Sequence, residues 1–334
     1  MSIKLDALSG SSKLLFKIPL KPLQGSRFQP TGFPNLGAAT YATAEGLNLL
    51  VESAQSMANR LESVCWDEVN QKPVEALDGI SYVRVERHGT YLTSSITEAH
   101  RLNSPYMLKG KDKTFFKTLK AELELMESGP VNRKLLADKL FKFDVGTLLH
   151  GIFLANGDLA GGRLRIARAV SAFIEAEGVR QAVSGGVKND HVNPSGSAKD
   201  GFGNVPFSRE EYTADRITLF VNIDLAQIRG YGLGPAAEKL LILLALYKIR
   251  ALADGDLRLR SACDLDVAAA SISATKPAGF ELPALAEILP AVKDAIAACR
   301  SKMSVTTVAF NDIVKAGKDE KTEDSPEDDG SSNT

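Results

Sequence analysis

Four histidines, His88, His100, His150 and His191, are the side chains best placed to move a proton or bind a metal at neutral pH. No two stand at metal-ligand spacing, and none joins a cysteine or carboxylate in a known motif. His150 lies in an apolar run and reads as a satisfied core histidine. His191 lies in a long polar stretch and is the one histidine worth testing for catalysis. There is no G-x-S-x-G elbow, H-E-x-x-H pair, D-x-D-x-D-G loop or Walker-type phosphate loop. Gly230-x-Gly232-x-Gly234 stands between an expected strand and an expected helix, where amides and the helix dipole could cradle a phosphate. It lacks the G-x-G-x-x-G spacing and the acidic ribose ligand of a dinucleotide site, so it also reads as a tight connection.

Basic residues carry more information. Arg163, Arg165 and Arg168 follow the Gly157–Gly162 turn, and Lys188 and Asn189 follow Gly185 and Gly186. Arg258 and Arg260 share one face of an expected strand, while Arg27 and Gln29 sit in a Gly/Pro-rich segment. Guanidinium forks match phosphate oxygens, and glycines let backbone amides approach the same oxygens. Such contacts hold nucleic acid without reading its bases. One arginine alone would be a surface charge or an ion-pair partner; the repetition favours a polyanion. Only 7% of residues are aromatic, and no strand carries an RNP1-like run. RNA would therefore be held by phosphate contacts and shape more than by stacking.

The elements that must position these residues read as a mixture of helices and strands without βαβ alternation, an α+β fold. Ala44–Cys65 reads as one helix, with Leu47, Leu50, Ala54, Met57, Ala58, Leu61 and Cys65 in an apolar stripe. Its other face, with Gln55, Ser56 and Asn59 and with Arg60 at the edge, is mostly uncharged and hydrogen-bonding. That suits a polar neighbour, a partner subunit or a phosphate backbone. Ile80–Arg87 reads as a strand, Ser95 as the cap of a short helix closed by Glu98, and Asp112–Glu127 as a helix. Phe141–Phe143 and Thr147–Leu154 look like strands, and Ala169–Ala176 fits strand or helix. Ser184–Ser208 reads as a long polar loop, of a length usually functional or disordered. Ile217–Leu225 alternates cleanly as a strand. A helix from Pro235 to about Ala253, a strand at Leu257–Arg260, a helix at Pro283–Arg300 and a strand at Ser304–Phe310 complete the pattern.

Bulk composition bounds the classes. The chain has 334 residues, 44% apolar and 24% charged, within the range of soluble globular proteins. Its formal charge of −1 is unevenly spread: residues 318–334 hold two basic and seven acidic side chains, leaving 38 basic and 34 acidic in the rest. The mildly basic body suits a polyanionic partner, and the acidic tail reads as disordered. Cys65, Cys263 and Cys299 are far apart and odd in number, as expected of reduced core thiols. No apolar run spans a bilayer and Met1–Gly10 lacks an apolar leader core, so the expectation is cytoplasmic, with no membrane.

Two long segments carry a specific resemblance. Arg27-Phe-Gln-Pro-Thr-Gly-Phe-Pro-Asn-Leu-Gly-Ala-Ala39, followed by Val51-Glu-Ser-Ala-Gln-Ser-Met-Ala-Asn-Arg-Leu-Glu62, resembles the backbone subunit of CRISPR type I-G (formerly I-U) complexes, in the RAMP superfamily. Leu149-His-Gly151, Gly161-Gly-Arg-Leu-Arg165, Ser184–Asp190, Asn204–Phe207, Arg209–Thr213 and Leu257–Asp264 extend it, from about residue 14 to about 310.

The resemblance implies an RRM-like (ferredoxin-like) core with large insertions, one of them a thumb-like hairpin, for which 184–208 is the first choice. It implies a flexible stretch at 1–13, one domain over 14–310 and the acidic tail at 311–334. It implies a non-catalytic subunit, without cofactor or metal, that stacks in copies along a CRISPR RNA and presents it to a target DNA strand. Other Cascade subunits and a recruited helicase–nuclease, which cuts the DNA, would be its partners. Carried onto this chain with the charge pattern, the RNA-contact candidates are Arg27, Gln29, Gln55, Asn59, Arg60, Arg163, Arg165, Arg168, Lys188, Asn189, Arg258 and Arg260. Two competing readings remain: a nucleotide-binding enzyme using Gly230–Gly234, and a RAMP-type RNase using His191 or Asp190.

Overall fold

The computed structural model describes residues 3–312, except 34–36, 124, 125, 127, 128 and 256; the acidic tail lies outside the described residues. The main sheet is antiparallel. Its strands run in the order Leu257–Arg260, Cys263–Val267, Lys13–Pro22, Arg216–Asp224, Val170–Glu177, Gly46–Glu52 and Thr40–Thr43, with Ala274–Lys276 also paired to Lys13–Pro22. Alternation decides which face is inside. Leu14, Phe16, Ile18 and Leu20 are buried, as are Ile217, Leu219, Val221 and Ile223 on the partner strand.

Helices cover that face. Pro235–Asp254 is apolar nearly all round because it is enclosed: it packs against Leu285–Cys299 on one side and reaches the sheet and the Ala54–Ser63 helix on others. A second sheet pairs Val305–Ala309 parallel to Tyr82–Arg87 and Thr90–Ser94 antiparallel to it. The α+β expectation holds.

Several local expectations are corrected. Ala44–Cys65 is not one helix: Gly46–Glu52 is a strand, and the helix spans Ala54–Ser63. Leu47 and Leu50 fit a helical period, but the strand sets them on opposite faces, burying Leu49 and Val51 and leaving Leu47 45% exposed. Ser53 starts the helix, its hydroxyl accepting the Ser56 amide at 3.3 Å. No helix starts at Ser95 either; the next helical turns are Arg101–Asn103 and Pro105–Leu108. The Ser95 hydroxyl accepts the Val83 amide at 3.1 Å, and Glu98 instead accepts from the Thr93 and Ser104 hydroxyls at 2.9 and 2.7 Å.

Phe141–Phe143 ends a helix, Arg133–Phe143, capped by Asn132 and buried through Leu136, Ala137, Leu140 and Phe141 at helical spacing. Thr147–His150 is a further helical turn, with only Ile152–Leu154 as strand. Asp112 caps a helix over Thr114–Leu123. Residues 1–13, expected to be flexible, include a 3-10 turn at Leu5–Leu8 with Leu8 in the core; Arg229 donates to the Leu8 and Ser11 carbonyls at 2.7 and 2.6 Å.

One ion pair constrains the sheet as a whole. Leu257–Arg260 and Gly46–Glu52 stand five strand positions apart, about 24 Å in a flat sheet at ~4.8 Å per strand. Yet Arg260 pairs with Glu52 and donates to the Val51 carbonyl at 3.1 Å, and Arg60 reaches from Glu52 (3.3 Å) to the Leu259 carbonyl (2.6 Å). The sheet therefore curls until these strands meet, and side chains close the seam. Glu52 is 3% exposed. Glu52→Ala would leave two guanidiniums unpaired and is expected to destabilise the fold by about 3–5 kcal/mol, read from urea unfolding.

Candidate nucleic-acid interface

At the seam, the sequence-selected residues divide by role. Arg60 and Arg260 are held by Glu52 and by carbonyls: Arg60 also donates to Arg258 O at 3.1 Å, and Arg260 to Gln29 O at 3.1 Å. The Gln29 amide in turn donates to Ala262 O at 2.8 Å. Arg258 is exposed, with Asp264 at 3.8 Å, and Arg27 is exposed, with Glu211 at 3.5 Å. The preceding Ser26 and the Gln29 region border two clefts of about 380 and 600 Å³; the larger also takes in Arg209 and Arg260.

Ser184–Ser208 is a correction to the loop expectation. Arg180–Lys188 and Val205–Thr213 form a regular antiparallel hairpin, in register from Arg180↔Thr213 to Lys188↔Val205. Its base is tied to the body where Phe28 and Tyr212 exchange backbone hydrogen bonds of 2.9 Å. The local pattern reads as loop because Gly185 and Gly186 break strand alternation, whereas the family resemblance makes 184–208 the first choice for a hairpin. Gly186 is there for space: a Cβ would meet the Phe207 ring at 3.0 Å. Phe207 in turn lies under the Arg209 guanidinium, 5.4 Å from the ring centre.

Lys188 and Asn189 are exposed near the tip. Asp190 organises that tip, accepting from the amides of Val192, Asn193 and Gly203 at 2.9, 3.0 and 2.8 Å; these bonds, led by Asn193, lower its carboxyl below the usual range. His191 is exposed beside it.

The Ala54–Ser63 helix leads from the seam to a second basic site. Gln55 and Asn59 are exposed one turn apart, about 6 Å along the axis. Gln55 accepts from Arg168, which also donates to Ala54 O at 3.1 Å. Arg165 is exposed and has no hydrogen-bond or ion-pair partner among the described residues. Arg163 has a different job: it donates to the carbonyls of Ala160 and Met126 at 2.9 and 3.1 Å, pinning the turn. Gly162 in that turn has φ +67, and a Cβ there would meet Ala155 O at 2.9 Å.

Beyond Arg165 lies a cavity of about 750 Å³, with Arg101, Arg133, Arg168 and His150 in its walls. His150 is a second correction. It ends a helical turn, 1% exposed, and neither ring nitrogen has a partner. An unmet buried polar group costs about 1–3 kcal/mol. Burial first, then the nearby Lys248, Arg101 and Arg168 cations, hold its pKa well below the usual value. Burial, then Arg101, likewise pulls the Arg168 guanidinium down. Arg101 itself is neutralised by Glu62, at 2.6 and 2.8 Å.

An aromatic pair also escaped the sequence reading. Phe173 and Phe220 are cross-strand partners on the sheet face away from the helices, stacked at 5.0 Å with Lys17 5.8 Å from the Phe220 ring. Forty-odd residues separate them, so only strand pairing shows the platform; each sits at an outward position of its strand. The three cysteines are buried and free, as expected, and burial raises each thiol. Among the described residues no group of three or more His, Cys, Asp or Glu could hold a metal ion, and no helix is long and apolar enough to cross a membrane.

A family model described as CRISPR-associated protein GSU0053 matches residues 14–181, half of the chain. The chain belongs to this family of CRISPR-associated proteins. Within the GSU0053 family match lie the Arg27–Gln29 segment, the Ala54–Ser63 helix, Arg163–Arg168 and the first residues of the hairpin. No curated protein matches the chain. Among solved structures, a chain of a CRISPR RNA-guided surveillance complex in its pre-nicking state is 10% identical, with TM-score 0.36 over 71% of each chain. Thermofilum pendens Csc2 is 11% identical, with TM-score 0.33 over 90% of this chain and 83% of that one. The family assignment stands without these two.

The His150 environment makes a pH-dependent prediction for this GSU0053-family chain. The folded state keeps the ring neutral, whereas the unfolded chain takes up a proton near pH 6.5. Below that value the unfolded state binds more protons, so stability falls as pH falls. Relative to His150→Phe, the parent chain should lose up to ~1.4 kcal/mol per pH unit below about 6.5, in paired urea melts from pH 7.5 to 5.

Proposed function

We propose that this chain is the guide-RNA-binding backbone subunit of a CRISPR interference complex of type I-G, non-catalytic and cytoplasmic. What carries the reading is that one helix of a CRISPR-associated family member exposes Gln55 and Asn59, with exposed Arg27, Arg165 and Arg258 and half-buried Gln29 and Arg168 on neighbouring segments. The track runs from Arg27, Gln29 and Arg258 over Gln55 and Asn59 to Arg168 and Arg165. Arg60, Arg260 and Arg163 shape the track from behind, because their guanidiniums are already spent on Glu52 and on carbonyls. Donors at helical and strand spacing, without a base-reading cleft, suit a guide whose bases must stay free to pair.

In this reading the sheet is the RRM-like core and the 180–213 hairpin is the thumb. Its Val183, Val187, Val205 and Phe207 are 47–76% exposed, an apolar surface suited to burial against another copy of the chain or another Cascade subunit. Lys188 and Asn189 would meet the guide near the tip. The target DNA strand joins through the guide, and a recruited helicase–nuclease does the cutting. An RNase reading is weakened because the Asp190 carboxylate is filled by three amides. A mononucleotide enzyme at Gly230–Gly234 is weakened too: Gly232 and Gly234 take φ +67 and +90 to turn the chain between two helices, a structural use of glycine.

Salt titration of binding to a CRISPR-repeat RNA should give a steep log–log slope, about −0.7 per neutralised phosphate. Arg165→Ala with Arg258→Ala is expected to flatten it by about 1.4, and the RNA should remain intact in magnesium. An unchanged slope, or cleavage, would contradict this function. Val183→Asp with Val187→Asp should abolish regular filaments in negative-stain images while leaving binding to a short RNA within about threefold, since surface charges change contacts without unfolding the body.

A further inference from the structure

We propose that the cavity between Arg133, Arg165 and Arg168 is a binding site for a phosphomonoester, and that a nucleoside monophosphate is the form that uses all of its walls. This does not rest on the guide-RNA reading. The volume, about 750 Å³, is that of a small-molecule site. No carboxylate of the described residues lines it. Arg101 is already compensated by Glu62, but Arg133 and Arg165 have no partner among the described residues, and Arg168 meets only two neutral oxygens.

The independent observation is His150. A buried side chain with two unmet nitrogens in a cavity wall implies a partner that the protein does not itself supply. The neutral ring has one N–H to give, and in a wall otherwise set with guanidiniums an oxyanion would accept it after a small shift of the ring, whose nitrogens are covered in this structure.

The kind of oxyanion follows from charge and shape. Three uncompensated cations exceed what the single charge of a phosphodiester balances. A terminal phosphate carries about −1.5 to −2 and three acceptor oxygens. It also needs an exit on one side only, which suits contact with a side chain as deep as His150. Phe153 supplies the remaining wall: it is 54% exposed and is the register partner of Arg165 on the Ile152–Leu154/Leu164–Ile166 hairpin, a face on which a base can stack beside the phosphate. Gly151 is what allows the close packing at this corner. With φ +78, its Cβ position lies 2.9 Å from Ile166 O and 3.0 Å from the Arg168 amide, so any side chain would push the two walls apart.

The test is calorimetric titration of the full chain, freed of nucleic acid, with AMP, inorganic phosphate and 3′,5′-cyclic AMP. The expected result is saturable 1:1 binding of AMP, weaker binding of phosphate, and binding of the cyclic diester at least tenfold weaker than AMP. Arg133→Ala and His150→Phe should each weaken AMP at least tenfold, with circular dichroism confirming a folded chain. Absence of saturable binding at millimolar AMP, equal affinity for the cyclic diester, or AMP binding unchanged in either variant overturns the proposal. A 5′-phosphorylated trinucleotide that outcompetes AMP assigns the site to an RNA terminus; the reverse assigns it to a free nucleotide, and both uphold a phosphomonoester. Arg133 lies outside the proposed guide track, so Arg133→Ala should keep the RNA salt slope. Loss of RNA binding by the parent chain with AMP binding intact would sink the backbone reading alone.

Discussion

A single buried carboxylate sets the shape of this protein. Glu52 takes Arg60 from the helix that follows it and Arg260 from a strand five positions away, and so draws the ends of the sheet together. A carboxylate at 3% exposure is tolerable only while both partners stay in place, because removing one leaves a charge in a poorly solvated seam. The same contacts turn Arg60 and Arg260 inward and leave Gln55, Asn59 and Arg258 facing out. Inward-held and exposed polar side chains are thus sorted by one interaction.

The hairpin depends on the seam as well. Phe28 hydrogen-bonds its base, and the next residue, Gln29, is held by Ala262 and Arg260 at the turn that the seam closes. Its apolar side chains Val183, Val187, Val205 and Phe207 stand exposed to water. The neutral, buried His150 lies in a contrasting region, where Glu62 answers Arg101 but no carboxylate of the described residues lines the cavity beside Arg133, Arg165 and Arg168. Such charge is stable in a fold when water or an anion answers it.

Part of the fold was legible in the amino-acid sequence. The alternation at Ile217–Leu225, the Pro235 helix start and the strand at Leu257–Arg260 are local signals, and each is found within a residue or two. The family could be recognised from Arg27–Ala39 and Val51–Glu62. The misreadings were also local. Leu47 and Leu50 satisfy a helical period although the chain there is a strand, and the Ser95–Glu98 spacing offers a cap that other partners outbid.

By itself, then, the sequence determined residue type and local period: an α+β chain, reduced thiols, clustered arginines, no assembled catalytic motif. Only the tertiary structure decided which arginines are free. Arg60, Arg163 and Arg260 look the same as Arg165 in sequence, and differ because folding sets Glu52 between Arg60 and Arg260 and brings the Met126 carbonyl to Arg163. The Phe173–Phe220 platform and the His150 cavity have the same origin. Each needs residues tens of positions apart, and chain connectivity carries no record of which distant groups strand pairing and helix packing will bring within a few ångströms.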